Sequence, residues 1–244
     1  MKKIGSCQLL KTVCLVILGG LLVMGLAGCD VRKNSRAYLE SKAAELDRVF
    51  PTKNLEDLFE EFPGGFKLGS YYLKAENDKE AISQTIEIVG NSTTKEIDGV
   101  IKNIKATDNS SYNEEILKES KFKYVNNEFV FDNDNFTAKD LETRDFLINQ
   151  MAIDSKKLTE LKLLSKSYSF DTGSGNLRYQ LKDKKITQFL NYKNNPTLEM
   201  IIDIDYPTIH ESKYEYSVTL QTKKDLKYII SFKGYETLGE ENEE

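Results

Sequence analysis

The chain has no tryptophan, one histidine and three cysteines in 244 residues. Each shortage removes a class of chemistry. One histidine, His210, cannot supply a multi-histidine metal centre. Cys7 and Cys14 fall within the first 28 residues, so the remainder holds Cys29 alone. A single cysteine makes no internal disulfide, no cysteine-rich zinc site and no iron–sulfur cluster. Positive charge is also short. Residues 1–28 carry Lys2, Lys3 and Lys11 and no acid; without them 31 Lys and Arg face 39 Asp and Glu, a net charge of −8. Such a balance argues against non-specific nucleic-acid binding, which needs a basic face.

What is present at the N-terminus is organised. Lys2, Lys3 and Lys11 form a positive leader, no charge occurs from Thr12 to Cys29, and residues 13–27 are a 15-residue apolar stretch. A helix needs about 20 apolar residues to span the hydrocarbon core, so this run is short for a permanent span and suits the apolar region of a secretory signal. It ends in Leu26-Ala27-Gly28-Cys29, which resembles a bacterial lipobox. In that motif the cysteine thiol is alkylated by a diacylglyceryl group, a peptidase cuts before it, and the new N-terminus is acylated with palmitate. Leu26 fills an apolar subsite, Ala27 and Gly28 let the backbone reach the peptidase, and only a thiol supplies the nucleophile. Acyl chains contribute about 0.8 kcal/mol per buried CH2, so two or three hold a protein on a bilayer almost permanently. The expectation is a protein on the extracytoplasmic face of a cell membrane, partnered with membrane lipid through Cys29.

The chain divides into a signal peptide (1–28), a lipidated tether (29–35), a single α+β domain (36–239) and an acidic tail (240–244). Ser35 can cap a helix whose apolar positions are Leu39, Ala43, Leu46 and Phe50, ended by Pro51. Asn54 can cap a second, with Leu55, Leu58, Phe59 and Phe62 apolar. Strands are expected at 66–75, 83–89, 95–105, 121–125 and 128–131, the last two joined by an Asn126-Asn127 hairpin. Thr137 predicts a helix through Ala152, and Asp154 or Ser155 another with Leu158, Leu161 and Leu164 apolar. A short strand at 177–181 and a helix at 184–192 follow. Alternation over 198–206, 214–220 and 226–232 predicts a C-terminal three-stranded meander. The expected class is α+β, an antiparallel sheet with helices packed on one face.

Candidate chemical sites are few. Asp132-Asn133-Asp134-Asn135 opens like a calcium loop, but Phe136, Thr137 and Thr143 occupy the fifth, sixth and twelfth positions, so it reads as a solvated turn. Glu199, Asp203 and Asp205 share one strand face and could hold a cation or act as an acid/base pair; a solvated face gives the same pattern. Ser92-Thr93-Thr94-Lys95 matches Ser-x-x-Lys without the partner motifs that chemistry needs. His210 sits in a turn beside Glu211 and Ser212, which is no triad in itself. Gly173-Ser174-Gly175 lacks the third glycine of a dinucleotide loop. Tyr71, Tyr72, Tyr206, Tyr214, Tyr216 and Tyr228 either line a sugar or peptide groove or pack in the core. No catalytic residue, metal or cofactor is assigned.

The segment Phe50-Pro51-Thr52-Lys53-Asn54-Leu55-Glu56-Asp57-Leu58-Phe59 resembles the signature of the staphylococcal tandem lipoproteins, also called conserved staphylococcal antigens. Pro196-Thr197-Leu198-Glu199-Met200 and the strands after it are similar too, and Gly69-Ser70-Tyr71 stands where members often carry Gly-Thr-Trp. The resemblance implies a membrane-anchored, non-enzymatic surface lipoprotein, antigenic and in contact with host cells. Apart from the resemblance, a monomer is the expected state. The alternative expectation is an extracytoplasmic binding protein for a small ligand or peptide.

Overall fold

The computed structural model describes residues 32–108, 112–192, 195–204, 213–223 and 225–237. The expected signal peptide, residues 29–31 of the tether and the acidic tail lie outside the described residues.

Ten strands form one antiparallel sheet: β1 (Phe66–Ala75), β2 (Glu80–Gly90), β3 (Ile97–Asp108), β4 (Tyr112–Val125), β5 (Glu128–Phe131), β6 (Lys162–Tyr168), β7 (Gly175–Leu181), β8 (Leu198–Ile204), β9 (Lys213–Gln221) and β10 (Leu226–Tyr235). Their spatial order is β5-β4-β3-β2-β1-β10-β9-β8-β7-β6. Two five-stranded meanders therefore meet where β1 pairs with β10, from Phe66 opposite Gly234 to Lys74 opposite Leu226. Residues 132–161 carry the chain from one outer edge to the other.

The period-2 pattern explains the layering. Side chains alternate between faces, so one cross-strand row of the core face reads Phe131, Phe122, Gly99, Ile88, Leu68, Phe232, Tyr216, Ile204, Gly175 and Tyr168. The two glycines make room for larger groups. A Cβ on Gly99 would lie 2.3 Å from the Phe122 ring and 2.6 Å from the Glu87 carbonyl oxygen, and one on Gly175 would lie 2.7 Å from Leu39. On the opposite face the equivalent row is mixed, with Arg178, Ile201, Thr219, Ile229, Tyr71, Thr85 and Lys102 in register.

Short helices cover the core face: α1 (Arg36–Ala43), α2 (Leu58–Glu61), α3 (Ser155–Glu160) and α4 (Lys184–Phe189), with 3-10 turns at Ala44–Arg48, Leu55–Asp57, Ala138–Asp140 and Leu147–Asn149. Their caps follow side-chain chemistry. Ser35 accepts from the Tyr38 N–H, Asp154 from the Lys157 N–H and Asp183 from the Lys185 and Ile186 N–H groups. Phe62 is fully buried at the end of α2, with its ring 5.0 Å from Phe232 and 5.2 Å from Tyr214. Phe146 meets Tyr124 and Phe129 at 6.0 and 5.7 Å.

The class is α+β, but the sheet dominates more than the sequence pattern predicts. The expected helix over 137–152 does not form. Thr137 does cap, and with Asp140 it makes a reciprocal capping box, yet the span holds only two separate 3-10 turns, at Ala138–Asp140 and Leu147–Asn149. Leu141 is extended, and the Asp145 carboxylate takes the Phe146 N–H, so local side-chain bonds displace the helix. The helix from Ser155 stops at Glu160, and Leu164 belongs to edge strand β6 rather than to a helix face. Asn54 makes no cap hydrogen bond; its side-chain oxygen accepts from Asn127. The C-terminal meander holds five strands rather than three, because β6 and β7 continue it.

The aromatic contact between α2 and the β10 seam gives a stability test. Phe62→Ala should cost about 3–5 kcal/mol in urea denaturation with an unchanged m-value; a loss under about 1 kcal/mol would show that α2 does not hold the sheet.

Candidate functional site

Leu26, Ala27, Gly28 and Cys29 lie outside the described residues, as do Asp205, Tyr206 and His210. Of the acidic candidates Glu199 and Asp203 are placed. Glu199 and Asp203 sit on the open face of β8, four residues apart, which is about 13 Å along a strand. Glu199 accepts from Gln221 at 3.0 Å and faces Arg178 at 3.6 Å, while Asp203 accepts from Asn176 at 2.5 Å and Ser217 at 3.3 Å. Each carboxylate is held by its own cross-strand neighbours. These two are too far apart to share a proton or a cation, and the part of the reading that needs Asp205 lies outside the described residues. Among the described residues, no three His, Cys, Asp or Glu side chains come together to hold a metal ion.

The loops behave as turns. Asn133 accepts from the Asn135 N–H at 2.9 Å, and Phe136 turns inward. Asn91 accepts from the N–H groups of Thr93 and Thr94, forming the β2–β3 turn where the Ser92–Lys95 motif lies. Gly173 takes a φ of 75° in the β6–β7 turn.

The tyrosines point into the molecule, not into a groove. Tyr72, Tyr214, Tyr216 and Tyr228 are all buried, and their hydroxyls bind the covering layer. Tyr214 donates to the Glu45 carbonyl at 2.7 Å, Tyr216 to the Lys42 carbonyl at 3.0 Å and Tyr72 to the Leu190 carbonyl at 3.4 Å. The Tyr228 oxygen accepts from Ser70 at 3.1 Å and from the Leu147 N–H at 3.4 Å. Tyr179, which the sequence pattern did not single out, donates to Glu40 at 2.9 Å. Burial pushes every one of these phenols above its usual range, Tyr228 to about 12. Of the two readings, Tyr72, Tyr214, Tyr216 and Tyr228 take core packing rather than a groove. Tyr71 alone of those described faces the open side, where it is half-buried with Ser83 as its hydrogen-bond partner.

A different concavity lies on the covered side. Between the 138–150 stretch and α4 runs a cleft of about 550 Å³, lined by Lys139, Leu141, Arg144, Asp145, Gln150, Lys185 and Phe189 among others. Asp145 accepts from the Phe146 N–H at 2.8 Å and from Gln150 at 2.6 Å. Lys185 donates to the Gln150 carbonyl at 2.9 Å and so ties α4 to the crossing segment. Burial raises the Asp145 carboxyl above its ordinary range, against the opposing pull of those two hydrogen bonds and of Lys185. Burial also raises Glu142 nearby. Sequence reasoning missed this cleft because it takes residues 138–150 for a helix. The signal that pointed to it was the polar run Glu142-Thr143-Arg144-Asp145, too polar for an apolar stripe.

No protein-family model matches the chain, and no curated protein matches it.

Two measurements follow from these contacts. Tyr228→Phe leaves the Ser70 hydroxyl and the Leu147 N–H without their acceptor, so it should lose about 1–3 kcal/mol in urea. For Asp145 the sign is fixed by linkage. A carboxyl whose folded pKa is raised binds its proton more tightly in the fold, so its stabilising share is present at low pH and lost as pH rises through the folded value. Asp145→Asn mimics the protonated form at every pH. The variant should therefore gain on the native chain between about pH 4 and neutrality; a variant that falls behind over that interval contradicts the assignment.

Proposed function

We propose that the chain is a lipid-anchored bacterial surface protein of the staphylococcal tandem lipoprotein type, without enzymatic activity, held on the extracytoplasmic face of the cell membrane. One observation carries the reading: a basic leader, an uncharged apolar run too short to span a bilayer, and Leu26-Ala27-Gly28-Cys29 follow one another in the order lipoprotein processing needs. Cleavage before Cys29 leaves the sole thiol of the mature chain at its N-terminus, where lipid consumes it. Six residues separate that cysteine from α1, so the body would ride close to the bilayer. Among the described residues no helix is long and apolar enough to cross a membrane.

The net charge of −8 after cleavage suits a soluble body beside an anionic surface, and the body itself would be the part offered to host cells and antibodies. The burial of the tyrosines supports this reading over recognition through an aromatic groove. The resemblance at residues 50–59 supports the family, and those residues form the 3-10 and α2 turns against the sheet.

Metabolic labelling with a fatty-acid analogue in a bacterial host should tag the native chain and leave Cys29→Ala untagged in the membrane fraction. Equal labelling of the two would end the lipoprotein reading.

A further inference from the structure

The cleft beside α4 combines charges of both signs, of which the fold resolves only the pull of Lys185 on Asp145. Lys139, Arg144 and Lys185 stand at its walls, all exposed, around the half-buried Asp145. Among the described residues no carboxylate pairs with Lys139 or Arg144. Three cations at one cleft are notable on a chain with net charge −5. Asp145 uses two of its roughly four acceptor directions on the Phe146 N–H and Gln150, so others remain for an incoming donor. Leu141 and Phe189 supply apolar wall between the charges.

Each simple ligand class meets an objection here. A plain anion would approach the Asp145 carboxylate, and a plain cation would approach three positive side chains. A zwitterion satisfies both, with its ammonium at the acid and its carboxylate at the basic walls. A volume of about 550 Å³ falls in the range for drug-sized ligands, which suits two to four linked residues better than one amino acid. We propose that this cleft binds short zwitterionic peptides, with the free amino terminus on Asp145, the free carboxylate on Arg144 and Lys139, and an apolar side chain against Leu141 and Phe189.

The proposal rests on residues 138–191 alone, so it does not depend on the lipid anchor. The mode of binding explains why the site shows no run of conspicuous motif residues: it is assembled from a loop and a helix about 40 residues apart in sequence.

Calorimetric titration of the full chain in detergent micelles tests it, with the tripeptide Ala-Phe-Ala, its N-acetyl derivative and its C-terminal amide as probes. Free Ala-Phe-Ala should bind, and blocking either terminus should weaken binding by at least about tenfold, the scale of one charge-assisted hydrogen bond. Arg144→Ala, at an exposed position that leaves packing intact, should shrink the difference between acid and amide. Asp145→Asn should remove the difference between free and acetylated peptide. No binding of the free tripeptide at millimolar concentration would overturn the proposal, and so would equal affinity for the blocked forms.

Discussion

The pairing of β1 with β10 is the constraint on which the rest of the architecture rests. Without it the chain is two five-stranded meanders with a long connection; with it, both become halves of one sheet. The seam joins residues some 160 positions apart in sequence, so its closure entropy must be offset by burial. The aromatic cluster of Phe59, Phe62, Phe66, Tyr214 and Phe232 lies along this seam and supplies that burial. Antiparallel pairing at the centre also places both edges, β5 and β6, far apart. The connection between them must then cross the whole core face, which is why residues 132–161 become part of the cover.

The cover is thin and irregular, and polar anchors hold it. Tyrosine side chains rising from the sheet end in hydroxyls that reach backbone carbonyls and carboxylates of the covering segments. An aromatic ring fills the layer between, and its polar tip satisfies a group that short helices leave without an intrahelical partner. The same construction explains the cleft. Where the covering segment is a loop, Asp145 accepts from the Phe146 N–H and from the Gln150 amide, and Lys185 ties α4 to the Gln150 carbonyl.

Strand periodicity was legible because alternation is a local signal. The span of β1 and the Asn126-Asn127 hairpin agree with it closely, and both asparagines take the positive φ, 52° and 63°, that a tight hairpin turn demands. The β1–β10 seam was not legible, since nothing in either strand names its partner. Helices were over-read where apolar residues such as Leu141, Phe146, Leu147 and Met151 recur near helical spacing; Gln84 and Asn103 of the sheet take the Asp140 carbonyl and Gln84 the Glu142 N–H, so the capped turn runs on extended from Leu141. Tyrosines in alternating strands were ambiguous between core and groove until their burial decided it. The open-face acids looked like a possible site from one strand alone, whereas their amide and guanidinium partners come from neighbouring strands.

In the proposed function the anchor and the body are separate: Cys29 would hold the protein to a membrane, and the sheet with its tyrosine-pinned cover would present the surfaces that meet other molecules. The most direct measurement of that claim is the mass of the N-terminal peptide of protein extracted from bacterial membranes. The account predicts a peptide that begins at Cys29 and carries a diacylglyceryl thioether. A peptide that begins elsewhere, or an unmodified Cys29 thiol, would contradict it.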